Sequence, residues 1–313
     1  MNTITDLPFG DDLVIPETTA TKPQHWDTFP SILPDLDAEE YHRHPAVSKH
    51  GLDDFRKAPS FFKWCREHLQ PASDALTFGS LYHTVMLEPD LIGQRYITVP
   101  REAPRRPTSI QRNAKKPSLE TLEAIQWWDE FEIRGAGRTV VDHNDIQLCN
   151  QMRVAMLENT ACRNALTELR EFTEASLFWE DEKTGVKCRA RPDIIRTDDL
   201  IVDPKTCRDA TESAFMRAAY EFGYFRQAAM YIDGFEAVTG RKGKAFVFLA
   251  QETEAPFLCK AYVASPQMIE LGRAQIAEDL AMLAQCQKTD TWPGLGDKVS
   301  ELNLPPWAMP KSI

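Results

Sequence analysis

The sequence predicts an α/β domain, a mixed sheet flanked by helices, with extra helices ahead of the sheet. Three observations predict it. Short apolar or alternating runs fall at 174–180, 186–195, 200–205, 245–250 and 258–263, as strands do. Longer stretches of helical periodicity surround them, at 48–69, 74–88, 118–132, 143–170, 209–239 and 265–287. A chain of 313 residues with 42% hydrophobic content is long enough to bury one large core or two modest ones.

Residues 1–45 hold six prolines and no helical period. Residues 1–40 read as an extended or flexible arm, with Trp26 and Phe29 as residues that could dock it, and 41–313 as one domain. Ser48 is a plausible N-cap for a helix with Leu52, Phe55, Phe62 and Leu69 inside, divided in two by Pro59. Phe61, Phe62 and Trp64 read as core more readily than as base-stacking groups. The helix at 74–88 stops at Pro89; Gly79 permits close packing and His83 lies one turn further on. A lone histidine on an apolar helix is more often a hydrogen-bonded core residue than a ligand.

The densest basic run is Arg101, Arg105, Arg106, Arg112, Lys115 and Lys116 against Glu102, kept irregular by Pro104, Pro107 and Pro117. It reads as a solvated loop or as a loop making sequence-independent phosphate contacts. Trp127 and Trp128, on the helix that follows, read as core.

At 174–180 a first strand carries Glu174 and Glu180, either of which could supply an acid. After a turn at 181–185, Val186, Cys188 and Ala190 alternate with Arg189, Arg191 and Asp193 in one strand. The polar cluster 196–199 turns the chain back, and Asp203 and Lys205 then share a face with Pro204 pointing away. A hairpin centred near Asp198 sets Asp193 opposite Asp203, where like charges are destabilising. Either both are solvated or a divalent cation holds them together; Mg²⁺ favours one or two carboxylates with waters and phosphate oxygens. A lysine one step along could orient the attacking water. Pro204 implies a strand interrupted or at a sheet edge. The 209–239 helix breaks near Gly223 and places Tyr224, Gln227 and Tyr231 on one side, which simple amphipathic packing would also explain. Strands 245–250 and 258–263 read as a closing hairpin. A final helix starts with Pro266 at its first position, and a proline-rich tail follows at 292–307.

The net charge of −11 disfavours a protein that coats itself in DNA, but not an enzyme that confines its basic residues to a groove. No apolar run approaches the roughly 18 residues of a membrane span, and the N-terminus does not resemble a signal peptide. An intracellular, cytoplasmic protein is expected. Seven cysteines include no C-x-x-C pair, so no zinc ribbon, disulfide framework or iron–sulfur cluster is expected.

Pro192-Asp193, nine residues, then Asp203-Pro204-Lys205 resembles the signature of the PD-(D/E)XK nuclease superfamily, with aspartate as the second acid. The flanking stretches 41–42 and 48–52, and the tail, resemble its RecE-type branch (the exonuclease VIII nuclease domain and phage or prophage relatives). The resemblance spans about 41–310. It implies the PD-(D/E)XK fold and an Mg²⁺-dependent exonuclease, with Mn²⁺ able to substitute, that digests linear double-stranded DNA from 5′ ends and leaves 3′ single-stranded tails for recombination. By the same resemblance Gly79, His83 and Glu88-Pro89 match a helix whose histidine joins the metal site. Gln227-x-x-x-Tyr231 matches a helix that contacts DNA or the active-site network. Asp193 and Asp203 would bind metal, and Lys205 would position water. Arg189, Arg191, Arg105 and Arg106 become candidate DNA contacts, and Glu88 a supporting acid. The resemblance further implies a ring-shaped homo-oligomer (trimer or tetramer) and a single-strand annealing partner in a bacterial host or prophage. The rivals are a related endonuclease or repair nuclease, and a DNA-binding protein with a decayed site.

Overall fold

The computed structural model describes residues 28–68 and 74–302. Strand β1 (Ser31–Leu33) and helix α1 (Ala38–Arg43) lead into α2 (Lys49–Lys57), α3 (Pro59–Glu67) and α4 (Asp74–Leu87). A 3₁₀ turn at Pro89–Leu91, α5 (Ile92–Arg95) and β2 (Tyr96–Thr98) precede α6 (Ser109–Arg112), α7 (Leu119–Arg134), β3 (Thr139–Val141), α8 (His143–Glu158) and α9 (Thr160–Thr167). Five strands follow: β4 (Arg170–Thr173), β5 (Ser176–Glu180), β6 (Lys187–Ala190), β7 (Ile194–Arg196) and β8 (Leu200–Cys207). Helices α10 (Glu212–Glu221) and α11 (Tyr224–Thr239), strands β9 (Ala245–Glu252) and β10 (Cys259–Val263), and α12 (Pro266–Thr289) complete the fold.

The main sheet has the order β10-β9-β8-β7-β4. Strands β8 and β9 run parallel, and the other neighbours are antiparallel, so the sheet is mixed as expected. The parallel pair needs a long crossover, which α10 and α11 supply. Alternation along these strands feeds two cores. Ile195, Ile201, Phe246 and Phe248 join Leu52, Phe55 and the inner residues of α11 and α12 on one face. Ile194, Val202, Val247 and Leu249 join Leu81, Val85, Met152 and Met156 of α4 and α8 on the other. Asp193, Asp203 and Lys205 have the odd numbering of the first row, so the site opens on the α11 side.

Local signals account for the helix boundaries. Ser48 caps α2 by accepting from Gly51 N–H, Pro59 opens α3, and Ser265 caps α12 ahead of Pro266. Gly223 takes φ +64°, which lets α10 end and α11 begin within one residue. At the α11–α12 crossing a Cβ on Gly272 would stand 2.3 Å from the Phe225 carbonyl, so only glycine permits that approach.

Several expectations are corrected. The 186–195 stretch is two strands in two sheets: β6 pairs with β5 in a three-stranded sheet β1-β5-β6, whereas β7 belongs to the main sheet. The 143–170 helix breaks at Asn159, and its end becomes β4. Residues 28–40 are no free arm. Strand β1 pairs with β5, Leu36 is buried, and Phe29 packs edge-on against Phe178 at 6.4 Å. A three-residue edge strand among prolines leaves no periodic trace. Gly79 meets nothing within 4 Å at its Cβ position, so close packing is not its role. Pro204 does not interrupt β8, which pairs with β9 through Cys207; its pairing with β7 reaches only Val202. The expectations for residues 1–27 with Trp26, for Leu69, and for the tail beyond 302 lie outside the described residues.

Candidate active site

Two crossings between sheets build the site. The chain leaves β4 for β5 through Glu174 and Ala175, and leaves β6 for β7 through Arg191, Pro192 and Asp193. At the crossings Glu174 N–H donates to the Asp193 carbonyl at 3.0 Å. Glu174 has φ +52°, a left-handed conformation that a non-glycine residue holds at a cost of about 1–2 kcal/mol. The two carboxylates are thereby set side by side. The β7–β8 register, Ile194 opposite Val202 and Ile195 opposite Ile201, centres the hairpin on Asp198 and carries Asp193 to the level of Asp203.

Helices supply the remaining groups. His83 on α4 brings Nδ1 to 3.2 Å from Asp193 Oδ2. One ligand atom each from His83, Glu174 and Asp193 lies within 4.8 Å of the others, a spacing that could hold a cation. Asp203, with 0% exposure, has Oδ1 at 2.5 Å from Lys205 Nζ and accepts from Gln227 Nε2 at Oδ2, also 2.5 Å. Tyr231 stands one turn past Gln227, within electrostatic reach of both aspartates.

Burial governs the protonation of this group. It pushes the Asp203 carboxyl up to about 7; Lys205 opposes the rise and Asp193 adds to it. Burial likewise raises Asp193 to about 6 and Glu174 to about 7, the latter helped by the charge of Asp193. Burial alone would lower Lys205, but Asp203 and Asp193 overcome it and raise its pKa, so the ammonium stays charged. His83 is lowered by burial, which leaves a neutral imidazole with a free lone pair. Buried Asp193 Oδ2 accepts no hydrogen bond. Three crowded carboxyls with raised pKa values, an orphaned buried oxygen and a neutral histidine form a donor set that suits a hard divalent cation.

The structure thus brings together Asp193, Asp203, Lys205, His83 and Gln227, and of the open acids it adds Glu174. Glu88 pairs instead with Arg95 at 2.6 Å, and Glu180 ends β5 exposed. The sequence offers Glu174 and Glu180 alike and cannot choose between them, because a residue on a bent link has no periodicity to set it apart. Arg189 and Arg191 are corrected as DNA contacts. Arg189 is buried and donates to the Tyr41 and His44 carbonyls; Arg191 donates to Ser176 Oγ and the Leu36 carbonyl. They fasten residues 36–44 across β5 and β6, a cover that alternation in the strand could not reveal. Arg106 pairs with Glu132 and lies over the Trp128 ring at 4.8 Å, and Arg112 pairs with Asp129 at 2.7 Å. The basic loop is therefore pinned to α7, with Arg105 exposed. Trp128 is buried as expected, while Trp127 is half-buried and stacks on Phe131.

No curated protein matches the chain. Among solved structures, a candidate exonuclease from Eubacterium rectale superposes with a TM-score of 0.56 at 12% identity, covering 87% of this chain and 96% of its own. An alkaline exonuclease from Laribacter hongkongensis covers 64% of this chain and 97% of its own at 15% identity, but its TM-score of 0.25 is too low to argue from. The first likeness speaks for the fold alone. The family described as "PDDEXK-like domain of unknown function (DUF3799)" matches residues 54–304, most of the chain, and the protein belongs to that family.

Proposed function

We propose that the protein is a divalent-metal-dependent nuclease that hydrolyses DNA phosphodiesters. The observation that carries this reading is the convergence of Glu174, Asp193 and Asp203 with His83 and the charged Lys205 at one partly buried point. A scaffold with a decayed site would have no reason to keep three mutually repelling carboxyls there. Asp193, Glu174 and His83 would hold the cation, with Asp203 beside them. A bound Mg²⁺ or Mn²⁺ supplies positive charge to the scissile phosphate and acidifies a water. Lys205 Nζ, fixed by Asp203, points a proton donor at the reacting phosphate and stabilises negative charge developing on it. Gln227 keeps Asp203 oriented through its Nε2–H, and Tyr231 backs Gln227.

The resemblance to RecE-type enzymes extends the proposal to linear double-stranded DNA ends, 5′-to-3′ digestion, and 3′ tails passed to a single-strand annealing partner. It also carries the ring-shaped homo-oligomer and a cytoplasmic setting in a bacterial host or prophage. None of the described helices is long and apolar enough to cross a membrane. The test is digestion of 5′-labelled linear and circular duplexes with Mg²⁺, Mn²⁺ or EDTA, native protein against Asp203→Ala. Cleavage of linear DNA only, lost with EDTA and in the variant, is expected. Equal cutting by both proteins would remove the assigned site, and cutting of circles would turn the reading to an endonuclease.

A further inference from the structure

The elbow between α10 and α11 turns a row of aromatic rings outward from Lys205. The Tyr224 ring lies 5.4 Å from Lys205 Nζ. The Phe222 ring lies 5.9 Å from that of Tyr224 with the planes 30° apart. On the same elbow Tyr220 stacks separately on Phe225, at 6.0 Å and 13°. The outer members face solvent, Phe222 at 57% and Tyr220 at 74% exposure. A surface aromatic exposed by chance has no need of a rigid mount, yet Phe222 has one. Gly223 closes the elbow in a left-handed turn, and Lys49, itself buried, donates to the Phe222 carbonyl at 2.6 Å while paired with Asp53 at 2.7 Å. Arg226 N–H donates to the Gly223 carbonyl at 3.1 Å.

Rings that begin at the catalytic lysine and run out to water fit the groups attached to the phosphate that the lysine addresses. A nucleobase offers a π-face whatever its identity, so a stacking row takes any sequence, but only a base released from its pair. Arg217, exposed one turn before Tyr220, adds a cation for the strand's phosphates. We infer that Phe222 stacks an unpaired nucleobase next to the scissile phosphate, so that the strand enters this site single-stranded. The inference rests on the nuclease reading.

The test is binding, with Ca²⁺ replacing Mg²⁺ to hold uncleaved complexes, of oligonucleotides carrying either 2-aminopurine or an abasic residue at the end to be digested. Phe222→Ala is expected to weaken binding about tenfold, with Phe222→Trp restoring it. The abasic end should cost the native protein a similar factor and cost Phe222→Ala less than about twofold, and native protein alone should change 2-aminopurine fluorescence. An abasic penalty equal in both proteins would overturn the inference while leaving the nuclease reading intact. So would a change in oligomeric mass in Phe222→Ala with the penalty unaltered, which would give this face to a second copy. Native protein that neither binds nor cuts DNA would defeat both readings.

Discussion

At Asp203 one fully buried carboxylate answers to an ammonium, an amide and a second aspartate, and the roles of these neighbours separate on mutation. Lys205 places a positive charge 2.5 Å from Oδ1, which opposes a nearby cation while serving the reacting phosphate. Lys205→Met should therefore lower single-turnover cleavage by about 10²–10³-fold, while Mn²⁺ binding, measured calorimetrically, stays equal or tightens. Asp203→Asn should lose both. Gln227→Ala removes the donor to Oδ2 and leaves a buried acceptor unpaired, for an expected loss of roughly 10–100-fold in metal affinity or activity. A Lys205→Met variant that loses metal and keeps its rate would reverse the assignment. The spacing of Asp193, Asp203 and Lys205 made this much of the site legible, since side chains two apart on a strand share a face and the hairpin centre follows from the turn residues. Gln227 was legible through the resemblance of Gln227-x-x-x-Tyr231 to the family's helix, since its helical spacing alone is equally explained by simple packing. The sequence names Glu174 without choosing it over Glu180, because its left-handed bend takes it out of any strand pattern; the inward turn of Arg189 and Arg191 was hidden by a covering segment distant in sequence.

Elements hold these residues in place through a charged seam between α2, α11 and α12. Arg226 donates to Asp53 at 2.9 Å and to Asp279 at 2.7 Å, and Asp279 also accepts from Arg56 at 2.8 Å. Arg226 and Asp279 side chains are only 4% and 8% exposed, so removing either leaves the other buried with a single ionic partner, Asp53 for Arg226 and Arg56 for Asp279. Arg226→Met removes one of two partners from each acid and should cost about 1–3 kcal/mol in denaturant unfolding, and the Arg226→Met/Asp279→Leu double variant less than the sum of the singles. Additive losses would mean that the pair does not couple. Gly272→Ala tests the same seam sterically. Its methyl would meet the Phe225 carbonyl, and a loss of about 1–3 kcal/mol is expected. Elements of this kind were the most readable part of the fold, because caps and prolines mark α2, α3 and α12 locally. The division of the strands between two sheets was not readable, since alternation fixes the faces of a strand and says nothing of which neighbour it joins.

For the molecule as a whole, three carboxyls with raised pKa values make metal binding and folding stability one problem. In the folded, metal-free protein Asp203 and Glu174 keep their protons up to about pH 7 and Asp193 to about pH 6. The unfolded chain releases them near pH 4. Between those limits the folded state binds more protons than the unfolded, so rising pH lowers the stability of the metal-free protein. His83, His42 and His50 act the other way, since burial keeps them neutral where the unfolded chain would protonate them, but Asp54, Asp233 and Asp279 are raised by burial alongside the three acids of the site. A divalent cation needs the carboxyls ionised and so competes with those protons. The expected outcome is a Tm in EDTA that falls from pH 5 to pH 8. Added Mn²⁺ should restore little at pH 5 and several degrees at pH 8; a metal concentration one hundred times Kd contributes about 2.7 kcal/mol. In Asp193→Asn the metal-dependent rise should vanish and the fall in EDTA should become shallower, because one of the three titrating groups is gone. A metal effect equal at both pH values, or one that survives Asp193→Asn, would place the cation away from these acids and take the proposed chemistry with it.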